Sequence, residues 1–405
     1  MPAPDDDPVQ VRLAGYAAAL RSQGAIRSQA VERAFATVRR DRCLTSFYTP
    51  EGMVGVPRDS VPPADVLDRI YSDQALITHF DQRGAPASSS SQPVLMAGML
   101  EALELTRGMR VLEVGAGTGY NAVLLATITA APVITLDTNQ PVVTEARAAL
   151  GRLGLHHQVT VVHGDGYHGW PAGAPYDRVI VTCGCVGLSP RWLPQLAPGG
   201  LMLVPVAHGG LHPIVAAWRD GPAARGRMAL GADFMQAAGP LGQGGPAVLR
   251  TIPADAEFAT HPRAGPVLDW DGYSALWCFL AVRDRRITRA AVLLDGIDPT
   301  KGMCALHDPE RGIVWVQMDG SVHVAGDPAL LEETGRLLRE WATLGRPRIQ
   351  DWRCTFHVTG PAPSPVLTPR DWSLLDGPHE DDPVAWPPTQ GSLDDNASDE
   401  HSGSP

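Results

Sequence analysis

The stretch "LEVGAGTGYN", residues 112–121, does most to restrict what this chain can become. A short apolar run ends in three alternate glycines, Gly115, Gly117 and Gly119, and the apolar run "YNAVLLATI" begins at once behind them. Glycines at such a junction let the backbone turn sharply from strand to helix, and let a ligand approach with no Cβ in the way. The pattern then repeats. "PVITLD" reads as a second strand, followed by a helix over about 141–150. "QVTVVHGD" and "YDRVIVTC" read as a third and a fourth strand. "LPQLAPGGLMLVPV" reads as a helix, a Pro-Gly-Gly turn and a fifth strand, and "HPIVAAWR" as a sixth. Such alternation implies an α/β fold, a mostly parallel Rossmann-like sheet with helices on both faces.

The flanks read differently. Residues 9–42 carry apolar positions at helical spacing, as in "VERAFATVRRDRCL", before Pro and Gly break the pattern in "TPEGMVGVPRDSVPP". "PVLMAGMLEALEL" reads as a helix with Pro93 in its first turn, closed by Gly108. After residue 222 a Gly-rich stretch without period leads to strand-like runs ("ALWCFLAVR", "AAVLLDG", "GIVWVQM", "SVHVAG") and a helix over about 328–344, together a separate α+β unit. A chain of 405 residues is expected to hold more than one domain. The divisions expected are an N-terminal helical, substrate-side segment (1–85), the Rossmann-like domain (86–222), a C-terminal α+β domain (223–375) and a disordered acidic tail (376–405). Seven of the ten tryptophans fall in the last two, at 270, 277, 315, 341, 352, 372 and 386. They suit the packing of a small domain or a peptide-binding surface.

Charge narrows the partners. The formal net charge is -11, and eight of the acids, with no Lys or Arg, fall between residue 376 and the end, leaving the rest of the chain near neutral. Neither part suits a protein that neutralises a phosphate backbone, so no nucleic acid is expected. The six cysteines are scattered as in a reducing compartment. Val123–Leu136, the most apolar stretch, is too short to span a bilayer, and "MPAPDDDPVQ" is no signal segment. A soluble cytoplasmic protein with no membrane partner is expected.

The glycine turn alone could be structural or could serve a dinucleotide. A dinucleotide fingerprint needs a third glycine where Tyr120 stands. S-adenosylmethionine carries no pyrophosphate and relaxes that need. Asp137, at the end of the second strand, is placed to bond ribose hydroxyls. In "HGDG", Asp165 can accept from an adenine amino group while the Gly166 amide donates to the ring. Glu113, Gly115, Gly117, Gly119, Asp137, Asp165 and Gly166 are therefore the expected cofactor residues, with S-adenosyl-L-methionine as cofactor. Cys183 and Cys185 form a lone Cys-x-Cys with no second pair, and no metal is expected.

The run from "YSDQALIT" through "SSQPVLMAGMLEALEL" to "VLEVGAGTGYNAVLLA" resembles the protein-L-isoaspartate O-methyltransferases. So do "GDG…APYDRVIVTCG…LPQLAPGGLMLVPV" downstream and "VERAFATVRRDRCL" upstream, over about residues 20–220. The resemblance implies that Ser91, in "PASSSSQPV", is the active-site serine beside a substrate carboxylate. Ser88, Ser89 and Ser90 are expected to make turn and cap bonds, with Ser90 and Gln92 also near the substrate. Asp73 and Gln74 are expected to contact a peptide backbone. Cys183, Gly184 and Cys185 occupy the substrate-side loop, where the family usually has an Ala-Ala-Pro type sequence. The chain also runs well over a hundred residues beyond the usual end of the catalytic domain.

Those two departures, with a Ser-rich run before Gln-Pro, are similar to C-terminally extended members that tailor ribosomal peptides: lanthipeptides, lasso peptides and ATP-grasp-crosslinked peptides (graspetides). The resemblance therefore implies methylation of an aspartate in a constrained peptide, the ester then cyclising to aspartimide. The alternative it implies is general repair of L-isoaspartyl or D-aspartyl residues. A catalytically silent binding scaffold is a third reading, opposed by the intact cofactor motifs.

Overall fold

The computed structural model describes residues 8–82, 84–245, 257–292 and 302–375; the segment expected as a disordered acidic tail lies outside the described residues. The N-terminal helical run is two helices, α1 (Pro8–Ser22) and α2 (Gln29–Thr37), with a single 3-10 turn at Arg40–Cys43. Gly24, at φ +74°, closes α1, and the Ser28 hydroxyl accepts from the Val31 amide to cap α2. That segment is not only helical. Strands β1 (Ser46–Thr49), β2 (Gly52–Gly55), β3 (Leu76–Phe80) and β4 (Pro86–Ser90) form an antiparallel sheet in the order β2-β1-β3-β4, with α3 (Ala64–Ile70) beside it. The serine run is therefore strand, not turn. Leu76 pairs with Ser90 and Ile77 with Ser89, so β3 supplies the hydrogen bonds that a Ser-rich segment has no apolar pattern to announce.

Helix α4 (Pro93–Ala102) leads into β5 (Val111–Val114), α5 (Tyr120–Thr129), β6 (Val133–Asp137), α6 (Gln140–Leu153), β7 (Val159–His163) and β8 (Tyr176–Val181). Next come β9 (Leu196–Pro205), β10 (Ile214–Asp220) and β11 (Ala223–Leu230). The helix expected before the Pro-Gly-Gly turn is only a 3-10 turn, Leu193–Gln195, and β9 starts directly after it. Beyond lie β12 (Ala259–His261), α7 (Trp270–Arg283), β13 (Ile287–Ala290), β14 (Met303–Asp308), β15 (Gly312–Val316), β16 (Val322–Gly326), α8 (Ala329–Thr343), β17 (Trp352–Thr359) and β18 (Val366–Leu374). "ALWCFLAVR" is helical, not a strand. α7 is buried from Tyr273 to Leu280, so its apolar residues run all round and lose the amphipathic period.

The central sheet has the order β18-β17-β11-β10-β9-β8-β5-β6-β7. The β7, β6, β5, β8 and β9 pairings are parallel, as the alternation predicts; β9, β10, β11, β17 and β18 pair antiparallel. The boundary expected at residue 222 falls inside the β10–β11 hairpin. The C-terminal unit has a sheet of its own, the antiparallel β12-β16-β15-β14-β13, while its last two strands, β17 and β18, extend the central sheet. One core runs through both, from Met202 and Trp192 to Trp277 and Trp352. Trp277, Trp315, Trp341 and Trp352 are buried packing residues; Trp270 is exposed, and Trp386 lies outside the described residues. Among the described residues no helix is long and apolar enough to cross a membrane.

Candidate functional site

The carboxyl ends of β5, β6 and β7 open onto one cavity of ≈ 370 Å³, as expected for a doubly wound sheet. Gly115 and Gly117 form its floor. Gly115 sits at φ +101°, and a Cβ there would run into Thr182 Oγ1. Gly117, at φ +50°, lies so close to β4 that a Cβ would stand 3.0 Å from the Ser89 carbonyl oxygen. Gly119 serves a different purpose. At φ +78° it starts α5, and its open side faces Ala146 of α6 rather than the cavity.

Three acids stand at or near these strand ends. Asp137 Oδ2 accepts from the Gly117 amide at 3.2 Å and Oδ1 from the Asn139 amide at 2.9 Å. Burial nevertheless holds its pKa above the usual carboxylate value. Asp165 lines the cavity, and its Oδ1 accepts from the Tyr167 amide at 2.9 Å. The adjacent Gly166 packs flat on Val114, where a Cβ would overlap the valine side chain. Glu113 is fully buried beneath the turn, accepting from Asn121 Nδ2 at 2.7 Å and Thr135 Oγ1 at 2.6 Å. Burial pushes its pKa up to about 7.

Ser91 lies on the cavity wall between β4 and α4, and among the described residues nothing bonds its hydroxyl. Its carbonyl accepts from Arg40 Nη2 at 2.9 Å. Arg40 is fully buried, and it also donates to the carbonyls of Ile70 (2.8 Å), Gln74 (3.0 Å) and Ser90 (3.1 Å), and to Ser90 Oγ (3.0 Å). Ser90 lines the cavity, but its hydroxyl is thereby engaged inward. Asp73 takes the Gln92 amide group at 2.8 Å and the Val94 N–H at 2.9 Å, capping α4 from outside. Asp73, Gln74 and Gln92 lie off the cavity; the Gln74 side chain is exposed and only its carbonyl is used, by Arg40.

Cys183 lines the cavity, whereas Gly184 and Cys185 stand behind it. Cys185 is buried, and contact with Cys183, together with burial, holds its thiol protonated. Two contributors escaped the sequence reading. One is Arg40. The other is the irregular segment 234–241, whose Phe234, Met235, Gln236 and Leu241 line the cavity. It is fixed by backbone bonds from Gly184 N to Met235 O (2.8 Å), Ala237 N to Gly184 O (2.8 Å) and Val186 N to Leu241 O (2.7 Å). The only forewarning was the glycine-rich stretch without period after residue 222, whose first residues turn out to be strand β11.

These residues fit S-adenosylmethionine. The backbone at Gly115 and Gly166 can pack against Thr182 and Val114 on the cavity wall only because neither residue carries a Cβ. Two buried polar atoms on the cavity wall, Ser88 Oγ and Asn121 Oδ1, have no hydrogen-bond partner among the described residues, as a polar ligand would leave them. Ser88 thus makes no turn or cap bond through its hydroxyl.

Comparison with known proteins agrees with the geometry. Residues 35–235 match the family described as protein-L-isoaspartate(D-aspartate) O-methyltransferase (PCMT). Protein-L-isoaspartate O-methyltransferase 1 of Rhodopseudomonas palustris is 42% identical over 151 residues, 37% of this chain and 58% of that protein. That of Anaeromyxobacter sp. is also 42% identical over 151 residues, 37% of this chain and 68% of that protein. The matches to the proteins from Synechococcus sp. and Thermotoga maritima span 61% and 51% of their lengths. A solved structure titled protein-L-isoaspartate O-methyltransferase superposes with a TM-score of 0.50 at 25% identity, covering 87% of this chain and 98% of that one. The chain therefore belongs to the protein-L-isoaspartate O-methyltransferase family.

Proposed function

We propose that this protein methylates aspartyl-type carboxylates in peptides or proteins with S-adenosylmethionine. The observation that carries this is Ser91: a hydroxyl left unbonded on the wall of the cavity that the glycine turn also lines, its backbone clamped by a buried guanidinium. S-adenosylmethionine, when bound, supplies a methyl group made electrophilic by a sulfonium. A carboxylate, with an unperturbed pKa near ~4, is already a nucleophile at neutral pH, so no general base is needed. Among the described residues the cavity's acids are already engaged: Asp137, Asp165 and Asp81 each accept from a backbone amide, and Glu113 is sealed beneath the turn. Ser91 can hold one carboxylate oxygen while the other attacks. The 234–241 segment and β4 keep out water, which would otherwise stabilise the separated charges.

The substrate reading has two branches. An L-isoaspartyl (or D-aspartyl) residue, methylated for repair, is supported by the names of the relatives. The C-terminal extension does not oppose it, because the solved isoaspartate O-methyltransferase covers most of this chain. The second branch is an aspartate in a ribosomally made, constrained peptide. It is favoured by Cys183-Gly184-Cys185-Val186, which places a cysteine on the cavity wall. In either case the next backbone nitrogen attacks the ester carbonyl, methanol leaves with the proton, and a succinimide (aspartimide) forms.

The test is incubation with methyl-labelled S-adenosylmethionine and two peptides, one linear with an isoaspartate and one macrocyclic with a normal aspartate. Base-labile label on the isoaspartyl peptide alone supports repair, and label on the macrocycle alone supports tailoring. Absence of label on both, with S-adenosylhomocysteine still bound, defeats the carboxyl methyltransferase reading.

A further inference from the structure

The small sheet carries an apolar row that the reaction described above does not use. Register pairs Met53 with Tyr48, Tyr48 with Ile77 and Ile77 with Ser89, so these four residues stand side by side on one face. Phe80 joins them, its ring packed edge-on against Tyr48 at 4.8 Å. The opposite face is ordinary core, with Phe47 and Leu76 buried on Val66 and Ile70. The outer face is open: Met53 is 64% exposed, Phe80 44% and Tyr48 38%. Large exposed apolar side chains normally lie scattered singly, and three gathered on one four-stranded sheet need a reason.

The row leads into the site. Ser89 at its end and Asp81, next to Phe80, both line the cavity, and Ser91 follows two residues after Ser89. We infer that this face binds the residues flanking the reacting aspartyl group, seating an aliphatic or aromatic side chain of the substrate on Tyr48, Met53 and Phe80. The inference rests on the peptide carboxyl methyltransferase reading. A polypeptide whose carboxylate reaches Ser91 can continue across Ser89 and Ile77 onto the row. The area also favours a short segment over a second copy of the chain. Three half-exposed large side chains offer about 300 Å², against the ~800 Å² per partner of a stable interface.

The experiment compares six-residue isoaspartyl peptides carrying Leu or Ser on either side of the isoaspartate, using wild-type protein and a Tyr48→Ser, Met53→Ser double variant. Wild-type KM should be about fivefold lower for one Leu-flanked peptide than for its Ser counterpart. The double variant should lose that preference, with an unchanged Kd for S-adenosylhomocysteine. Equal KM values in the wild type, or a preference that survives in the variant, overturn this inference alone. Failure of the wild type to methylate any of the peptides overturns it together with the isoaspartyl branch of the proposed function. Concentration-dependent self-association that the double variant abolishes overturns it in favour of a second copy on the same face.

Discussion

The Arg40 guanidinium donates to the Ser91 carbonyl at 2.9 Å, tying the residue expected to hold the substrate to a cation with no access to solvent. Among the described residues no carboxylate pairs with Arg40; its partners are carbonyl oxygens from the α3–β3 connection and from Ser90 and Ser91, plus the Ser90 hydroxyl. A planar fork can reach several acceptors at once and an ammonium cannot. Arg40→Lys should therefore lower stability by about 3 kcal/mol in urea unfolding. It should also reduce kcat for peptide methylation while leaving the Kd for S-adenosylhomocysteine within about twofold. Equal losses in kcat and cofactor affinity would mean that Arg40 supports the fold generally and does not position Ser91.

Ser91→Ala should separate the two halves of the site in the same way. A hydrogen bond to a charged group contributes about 1.5–3 kcal/mol, so turnover should fall roughly 10- to 100-fold. Calorimetric affinity for S-adenosylhomocysteine should not change. Undiminished turnover would remove Ser91 from the reaction.

The parts of this site legible in sequence are those set by local rules. A strand that stops at alternate glycines, an acid at the next strand end and Asp-Gly at the third are each fixed by a few neighbouring residues, and the structure brings Gly115, Gly117, Asp137, Asp165 and Gly166 around one cavity. What stayed hidden depends on distant chain. In "VRRDRC" Arg40 is buried while the other two arginines, Arg39 and Arg42, are only half-buried, because only Arg40 meets the carbonyls of residues 70–74. Segment 234–241 reaches the cavity because the β10–β11 hairpin turns the chain back toward Gly184. Asp73 and Gln92 were expected at the substrate but bond to each other, a pairing across nineteen residues that no local pattern records.

Glu113 should make stability depend on pH with an unusual sign. Burial raises its pKa from 4.5 to about 7, so the folded protein holds a proton there that the unfolded chain releases. The associated stability is complete below about pH 4.5 and is lost as pH rises through about 7. The full loss is on the order of 3 kcal/mol. Glu113→Gln, which removes the titration, should flatten the stability difference between pH 5 and pH 8 in chemical denaturation. An unaltered pH profile in the variant would place the effect on another group.

Gly184 is glycine because His212 occupies the position its side chain would take: a Cβ there would stand 2.5 Å from His212 Nε2. His212 cannot easily move aside. It is buried, and its Nδ1 lies 3.1 Å from Asp233 Oδ1, whose other oxygen is 2.7 Å from Arg289 Nη1 at the end of β13. The loop bearing Cys183 is thus held from behind by the C-terminal elements, with Met235 and Leu367 clamping it through backbone bonds on either side. Gly184→Ala should cost about 2 kcal/mol and raise KM for the peptide as Cys183 is pushed toward the cavity. Pairing it with His212→Ala should return much of that loss, because the second change empties the space the new methyl group needs. In a double-mutant cycle the coupling should exceed about 0.5 kcal/mol in the restoring direction; strictly additive losses would show that the contact does not set the loop.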